Sequence, residues 1–297
     1  MSDELRAGVI GLGRMGLPMT RCIAAAGFPV AVFDTRPDAV DAAVALGAIG
    51  APSAAAVAAA ADVVCIVVLD LAQVEDVVFG DAGVVAGAHE GLVVCVCSTI
   101  PDDAVVDLAG RLAPHGVELL DSGVAGGPIN AEIASLVTMV GGAGDVLERA
   151  RPVLDAFSAE VVHAGPLGAG MQLKLVKNLG SYLVLCAANE VMRLTETLGI
   201  SVDAVNHVNE VSNMLGQFWT MTVERPGNHP LPPDAPAADL TLASELAALC
   251  RKDLEAILAL ADRVGEDLPA ARTAHELAPR FFRVPEAEPR APRTQSA

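Results

Sequence analysis

The feature that most restricts the fold of this chain is a glycine-rich turn near its amino end. It reads Gly11-Leu12-Gly13-Arg14-Met15-Gly16, follows the apolar run 7–10 and opens a stretch with helical spacing. In a strand–turn–helix unit the first glycine permits the tight turn, the second lets the backbone approach a pyrophosphate, and the third allows close packing of the helix. The amino end of the helix attracts the phosphates. A chance turn is the alternative in a chain with 27 glycines, but this context predicts a dinucleotide site formed by these six residues.

An acidic residue, Asp34, stands at the end of the next apolar run, 30–33. A carboxylate at this place accepts hydrogen bonds from ribose hydroxyl groups and repels a 2′-phosphate, so Asp34 predicts NAD as the cofactor. Arg36 could instead pair with such a phosphate, or it could be an exposed loop charge before Pro37. NADP therefore stays open as the second cofactor.

Short apolar runs alternate with alanine-rich helical stretches up to about residue 163. The runs lack polar alternation, as expected for parallel strands covered by helices on both faces. They lie at 7–10, 30–33, 63–69, 92–96 and 117–120, and two later runs, 136–140 and 160–163, predict added edge strands. The pattern predicts an α/β fold with a Rossmann-type doubly wound parallel sheet, in a dinucleotide-binding domain over residues 1–165.

Beyond residue 165 the pattern becomes helical. A long stretch without proline predicts a helix over about 168–198, roughly 40 Å long, that joins the first domain to an all-α carboxy-terminal domain over 166–284. Further helices are predicted at 202–211, 214–223, 240–264 and 270–282. The charged, proline-containing residues 285–297 are predicted to form a disordered tail.

The balance of charge restricts the classes of partner. With 37 Asp and Glu against 19 Lys and Arg, the formal charge is −18, which argues against nucleic acid and anionic membranes as partners. The nearest candidate for a membrane span, 54–69, is interrupted by Asp62, and the acidic start of the chain argues against a signal peptide. The six cysteines lack CxxC spacing and the six histidines lack metal-binding spacing. These patterns predict a cytoplasmic protein with reduced thiols and no metal site.

Residues 9–19, which contain the glycine turn, resemble the signature of the β-hydroxyacid dehydrogenase family. That family includes 3-hydroxyisobutyrate dehydrogenase, tartronate semialdehyde reductase and 6-phosphogluconate dehydrogenase. Further blocks match in the same order: Ser98-Thr99 ahead of Pro101, residues 121–131, residues 168–174 with Asn178, and Lys252-Asp253. The resemblance covers nearly the whole chain, and the length fits the members that act on small substrates.

Lys174 and Asn178 lie four positions apart near the start of the predicted long helix, so they share one helical face. A lysine whose pKa is lowered by burial can take the proton of a hydroxyl group as hydride leaves the carbon. Gly168 and Gly170 nearby would let a ligand come close. The resemblance implies that Lys174 is the catalytic acid/base and Asn178 its partner in substrate binding. The alternative is a surface lysine, and Lys177 departs from the asparagine that is common in the family.

Residues 121–127 are expected to form a loop after the fifth strand, at the edge where open α/β sheets bind ligands. The backbone N–H groups of Gly126 and Gly127 can bind a substrate carboxylate. Asp121 is expected either to cap a turn or to contact a reactive group.

Two positions in this segment depart from the family pattern. Gly123 replaces the usual proline, and Ala125 replaces a serine whose hydroxyl is expected to contact the acid group of the substrate. Ser122 is the candidate substitute donor, and the identity of the substrate stays open.

Five further positions have two interpretations each. Ser98 and Thr99 could hydrogen-bond the nicotinamide ribose or the substrate, as the resemblance implies, or cap the helix that follows. Lys252 resembles the family lysine that reaches the active site, where it would contact substrate and cofactor; alone, it would belong to a solvated helix face. The bulky pair Phe218 and Trp219 could pack helices or line the pocket.

Together these features predict an NAD-dependent dehydrogenase of a small 3-hydroxy acid resembling 3-hydroxyisobutyrate, with Lys174 as the general acid/base. An NADPH-dependent semialdehyde or imine reductase is the alternative within enzymes, and a catalytically silent nucleotide-binding relative is the alternative outside them. The resemblance also implies a homodimer or homotetramer, because the family buries its carboxy-terminal helices against a partner subunit.

Overall fold

The structure, a computed structural model, describes residues 5–212, 229–265 and 267–285. The chain divides into two units, residues 1–174 and 175–297, and the division falls within one long helix. The predicted boundary, residue 165, coincides instead with the end of the last strand. The predicted helix at 214–223 lies outside the described residues, as do Phe218, Trp219 and all but the first residue of the predicted tail.

An eight-stranded sheet forms the centre of the first unit. The strands are β1 (Ala7–Ile10), β2 (Val30–Phe33), β3 (Ile49–Gly50), β4 (Val63–Ile66), β5 (Val93–Val96), β6 (Glu118–Ala125), β7 (Leu136–Gly141) and β8 (Ser158–Gly165). Their order is β3-β2-β1-β4-β5-β6-β7-β8, so the strand order reverses between β1 and β4, as in the doubly wound nucleotide-binding folds. The predicted Rossmann-type fold is confirmed.

Helices cover both faces of this sheet. They are α1 (Gly16–Ala25), α2 (Pro37–Ala45), α3 (Ala54–Ala60), α4 (Leu71–Phe79), α5 (Asp102–Leu112), α6 (Gly127–Glu132) and α7 (Gly144–Asp155). Successive residues of one strand enter different cores: Cys65 packs in one apolar cluster and Val64 and Ile66 in the other. Because both faces are buried, the strands need apolar residues at every position, which explains their lack of alternation.

The strand after residue 117 is longer than the sequence suggests. β6 continues through Ala125, because residues Asp121–Ala125 pair with β7 in antiparallel register. The prediction of a loop from residue 121 was therefore wrong for its first five residues. The short edge strand β3 was also missed, since two residues leave no periodic pattern.

The second unit is helical throughout its described part. Helix α8 (Ala169–Thr197) crosses from the first unit into the second, and α9 (Val202–Ser212), α10 (Ala237–Val264) and α11 (Pro269–Phe281) follow it. The core of this unit packs Leu185 of α8 against Leu254 of α10 and Phe281 of α11. Among the described residues, no helix is both long enough and apolar enough to cross a membrane.

Candidate active site

The glycine turn leaves open space where the sequence predicts a pyrophosphate. Gly11 has φ +94°, and a Cβ there would collide with Val67 O. A Cβ on Gly16 would collide with Gly11 O, whereas a Cβ on Gly13 would have no neighbour within 4 Å. Gly11 and Gly16 are thus required by the turn itself, and Gly13 keeps the backbone open to a ligand.

Asp34 at the end of β2 is tied to the same turn. Its Oδ2 accepts a hydrogen bond of 2.7 Å from Leu12 N, and its Oδ1 accepts one of 3.1 Å from Arg36 Nε. Arg36 Nη2 donates in turn to Leu12 O at 3.2 Å. Burial acts to raise the pKa of Asp34, but the hydrogen bonds from Arg36 and Leu12 outweigh it, so the pKa lies below its ordinary value. Asp34 is therefore ionised at neutral pH, and Arg36 is paired with it.

Asp121 on β6 caps the amino end of α8. Its side chain is fully buried, and its two oxygens accept hydrogen bonds from Gly168 N (2.8 Å) and Met171 N (2.6 Å). Burial raises the pKa of Asp121, although these backbone donors oppose the rise. Of the two predicted roles, capping fits this geometry, but the residue caps a helix from a distant strand and not a local turn.

The glycines at the start of α8 have structural roles, Gly170 in packing and Gly168 in backbone conformation. A Cβ on Gly170 would lie 2.6 Å from both Gly141 N and Met139 O. Gly168 has φ +92°, which favours glycine. The sequence analysis predicted that the missing side chains leave room for a ligand. In the structure, the absence of a side chain at Gly170 instead allows α8 to pack against β7.

Lys174 lies on α8 with its stem against Gly123 of β6. Its side chain is only 9% exposed, and a Cβ on Gly123 would lie 2.9 Å from Lys174 Cβ and 3.0 Å from Cγ. Gly123 lies past the end of β5, whose Val96 pairs with Asp121. It therefore occupies the carboxyl edge of the parallel strands, the same edge as the glycine turn that follows β1.

The remaining predicted substrate-binding residues of this segment, Ser122, Gly126 and Gly127, differ in their access to a ligand. Ser122 is fully buried on the opposite face of the strand, beside the Cys95 thiol. Gly126 and Gly127 have φ values of +128° and +70° where the chain turns into α6, and a Cβ on Gly127 would meet no neighbour within 4 Å. The backbone at Gly127 is thus open to a ligand, whereas the Ser122 side chain has no exposed surface.

Ser98 does not cap helix α5, and its contact with the cofactor or the substrate stays a prediction. Its Oγ accepts a hydrogen bond from Val68 N (2.9 Å) and donates one to Val68 O (2.8 Å), so it joins the ends of β4 and β5. Helix α5 begins after Pro101 without a side-chain cap. The capping alternative was therefore wrong for Ser98. Thr99 is half-buried between β5 and α5, and its contact with the cofactor stays a prediction.

A polar cluster occupies the second unit. Asn178 and Tyr182 of α8 both donate hydrogen bonds of 2.9 Å to Asp253 Oδ2 on α10. Lys252 Nζ lies 3.4 Å from Asp253 Oδ1, and its side chain is 34% exposed. Asp253 is 3% exposed. The sequence predicts no role for Asp253, which appears there only as the neighbour of Lys252. The one sequence signal for its contact with Asn178 is that both residues lie in segments that match the family.

Comparison with known proteins gives a consistent result. Residues 6–165 match the family described as the NAD binding domain of 6-phosphogluconate dehydrogenase. The chain is 32% identical to the 3-hydroxyisobutyrate dehydrogenase of Pseudomonas aeruginosa over 268 residues, 90% of this chain and 89% of that protein. The crystal structure of 3-hydroxyisobutyrate dehydrogenase from Salmonella typhimurium is similar, with a TM-score of 0.80, 28% identity and coverage of 92% of this chain and 93% of that one.

A second solved structure is also close. Mycobacterium tuberculosis 3-hydroxyisobutyrate dehydrogenase with L-serine has a TM-score of 0.75 and 30% identity, and the match covers 93% of each chain. The match therefore extends over both units, as the resemblance of the sequence blocks predicts. The chain belongs to the β-hydroxyacid dehydrogenase family, whose members are nicotinamide-dependent oxidoreductases.

Proposed function

We propose that this protein oxidises a small 3-hydroxy acid, of the class that includes 3-hydroxyisobutyrate and serine, with NAD as coenzyme. The observation that carries the proposal is Lys174, a buried lysine held against Gly123 at the sheet edge that also bears the glycine turn. The names of the similar proteins, 3-hydroxyisobutyrate dehydrogenase and a complex of such an enzyme with L-serine, support the substrate class.

The residues of the first unit fit a dinucleotide. The open backbone at Gly13 and the amino end of α1 would hold the pyrophosphate, and Asp34 would hold the adenosine ribose. Thr99 would lie near the nicotinamide ribose. The nicotinamide ring, when bound, supplies the acceptor for a hydride.

In the proposed mechanism, Lys174 moves the proton of the reacting hydroxyl group. As a neutral amine, its Nζ accepts this proton while the carbon becomes a carbonyl carbon; in the reverse direction the ammonium returns it to the carbonyl oxygen. Backbone N–H groups of Gly126 and Gly127, with Lys252, would bind the substrate carboxylate. Asn178 would bind the substrate beside the reacting group. Ser122 has no part in this proposal, because its hydroxyl is buried on the other face of β6.

The proposal predicts turnover in a spectrophotometric screen. We expect NADH to form with at least one of 3-hydroxyisobutyrate, serine, glycerate and 3-hydroxypropionate. The same screen with NADP, and in reverse with semialdehydes and a cyclic imine plus NADPH, tests the reductase alternative. Activity confined to NADPH and an imine would contradict the proposal, and absence of turnover with every pair would support a silent nucleotide-binding protein.

The preference for NAD is expected to depend on the charge of Asp34. In Asp34→Asn the repulsion of a 2′-phosphate is lost and Arg36 is released from its ion pair, so we expect the ratio of kcat/KM for NADP to that for NAD to rise about 10- to 100-fold. The double variant Asp34→Asn/Arg36→Gln lacks the guanidinium and should show a smaller rise. An unchanged ratio in Asp34→Asn would remove this residue from coenzyme selection.

We further propose that the protein works as a homodimer or homotetramer. Apolar side chains of the second unit are exposed on two helices: Val208 and Val211 are 56% and 78% exposed on α9, and Leu242 is 41% exposed on α10. Exposed apolar surface is one mark of an interaction site. Light scattering coupled to size-exclusion chromatography measures the mass of the assembly.

A further inference from the structure

Asp253 binds two neighbouring side chains of α8 with a single oxygen. Its Oδ2 accepts hydrogen bonds from Asn178 Nδ2 and Tyr182 Oη, each 2.9 Å long. The two donors lie one helical turn apart on the same face of α8. The carboxylate is 3% exposed and Asn178 is 6% exposed, so water has little access to compete for these bonds.

This contact restricts the Asn178 carboxamide to one of its two orientations. Asp253 Oδ2 is the acceptor of both bonds, so the amide turns its NH₂ group, the donor, toward Asp253. Rotation by half a turn would bring Asn178 Oδ1 against Asp253 Oδ2, two acceptors without a proton between them. The oxygen of Asn178 therefore points away from Asp253.

We propose that Asp253 is a positioning residue that makes Asn178 a hydrogen-bond acceptor in the active site. Asn178 Oδ1 would then accept a hydrogen bond, from the hydroxyl group of the substrate or from the ammonium of the catalytic lysine, and the amide would not donate to the substrate carboxylate. This inference rests on the proposed function, because it assigns to Asn178 the alcohol end of a 3-hydroxy acid. The carboxylate end is left to Gly126, Gly127 and Lys252.

Tyr182 completes the arrangement without a proton-transfer role. Burial and the negative charge of Asp253 both raise the pKa of Tyr182 well above its ordinary value. Its hydroxyl therefore stays protonated and serves as a second donor to Asp253. Asp253 is thus held by two donors of α8, Tyr182 and Asn178.

A charge-exchange pair of variants tests the orientation. Asn178→Asp places two carboxylates in contact, and we expect kcat/KM to fall about 10- to 100-fold. In the double variant Asn178→Asp/Asp253→Asn, the new amide donates to the new carboxylate, whose other oxygen is again an acceptor. We expect the double variant to recover to within about 10-fold of the wild type, with unchanged NADH affinity.

Thermal unfolding supplies a measurement that needs no activity. The charged and titratable groups around the exchanged pair are Lys177, Tyr182, Cys250 and Lys252. In Asn178→Asp, repulsion between the two carboxylates raises the pKa of one of them in the folded state above its value in the unfolded state. The folded state then binds the proton more tightly, so the free energy of unfolding falls as pH rises from the unfolded-state pKa to the folded-state pKa. We expect the Tm of Asn178→Asp to fall below that of the double variant increasingly between pH 5 and pH 8.

Three results would overturn the inference. The first is a double variant that is no more active and no more stable at pH 8 than Asn178→Asp. The second is a wild-type value of kcat/KM in Asn178→Asp. The third concerns the control Tyr182→Phe, which leaves the bond between Asn178 and Asp253 in place and is expected to stay within about 3-fold of the wild-type kcat. A loss in Tyr182→Phe as large as that in Asn178→Asp would mean that Asp253 acts only through packing. If the wild type oxidises no 3-hydroxy acid, the proposed function fails, while the Tm comparison still decides the orientation of Asn178.

Discussion

Replacement of Lys174 by alanine is expected to lower kcat by about 10²- to 10⁴-fold, the usual contribution of a general acid/base. The residue is 9% exposed and its stem lies against Gly123, so the structure restricts the position of the side chain. The glycine turn and Asp34 lie on other elements, so the affinity for the coenzyme should stay nearly the same. Initial rates with the best substrate of the screen and titration of NADH fluorescence measure the two quantities.

Two further variants separate charge from proton transfer. Lys174→Arg keeps a positive charge, but a guanidinium does not lose its proton at any pH used, so we expect it to be nearly as inactive as Lys174→Ala. Lys177, three residues later, is the matched control. It is exposed, but partial desolvation lowers its pKa, although Asp253 opposes this effect, so it is the competing base. We expect Lys177→Ala to change kcat by less than about 10-fold. A larger loss in Lys177→Ala than in Lys174→Ala would transfer the catalytic role to Lys177.

Replacement of Asp121 by alanine is expected to destabilise the first unit by about 3 kcal/mol. The change leaves Gly168 N and Met171 N, both bonded to Asp121 in the wild type, without their acceptor at the buried start of α8. It also removes a negative charge from the amino end of a helix. For a chain of this size, the loss corresponds to a fall in Tm of about 6 °C or more.

Ser122→Ala is the matched control for this prediction. Ser122 is the next residue of β6 and is also fully buried, but its side chain lies on the opposite face, beside the Cys95 thiol. We expect its Tm to change by less than about 3 °C. Calorimetry of both variants at the same pH gives the comparison. Equal Tm values for Asp121→Ala and wild type would show that water replaces the carboxylate and that the cap has no net effect.

The strands, the long helix and the glycine turn could be predicted because each follows from neighbouring residues. An unbroken apolar run predicts a strand covered on both faces, and the absence of proline after residue 169 predicts α8. The steric need for glycine at Gly11 and Gly16 arises within the turn. The roles of single residues were harder to predict. Ser98, Gly170 and Asp121 lie in segments that match the family, but the contacts that the structure gives them join strands and helices of the fold.

Local sequence thus specifies most strands and helices of this protein and the alternation of strand and helix that is typical of a doubly wound sheet. It also places a lysine, a residue able to transfer a proton, at position 174. Folding of the whole chain determines which groups meet. Asp121 reaches the start of α8 across 47 positions, and Asn178 meets Asp253 across 75. No periodicity or spacing carries information over such separations, since a hydrogen bond depends on two atoms at about 3 Å and on the path of every element between them. The extension of β6 along β7 and the fixed orientation of Asn178 are therefore properties of the assembled fold.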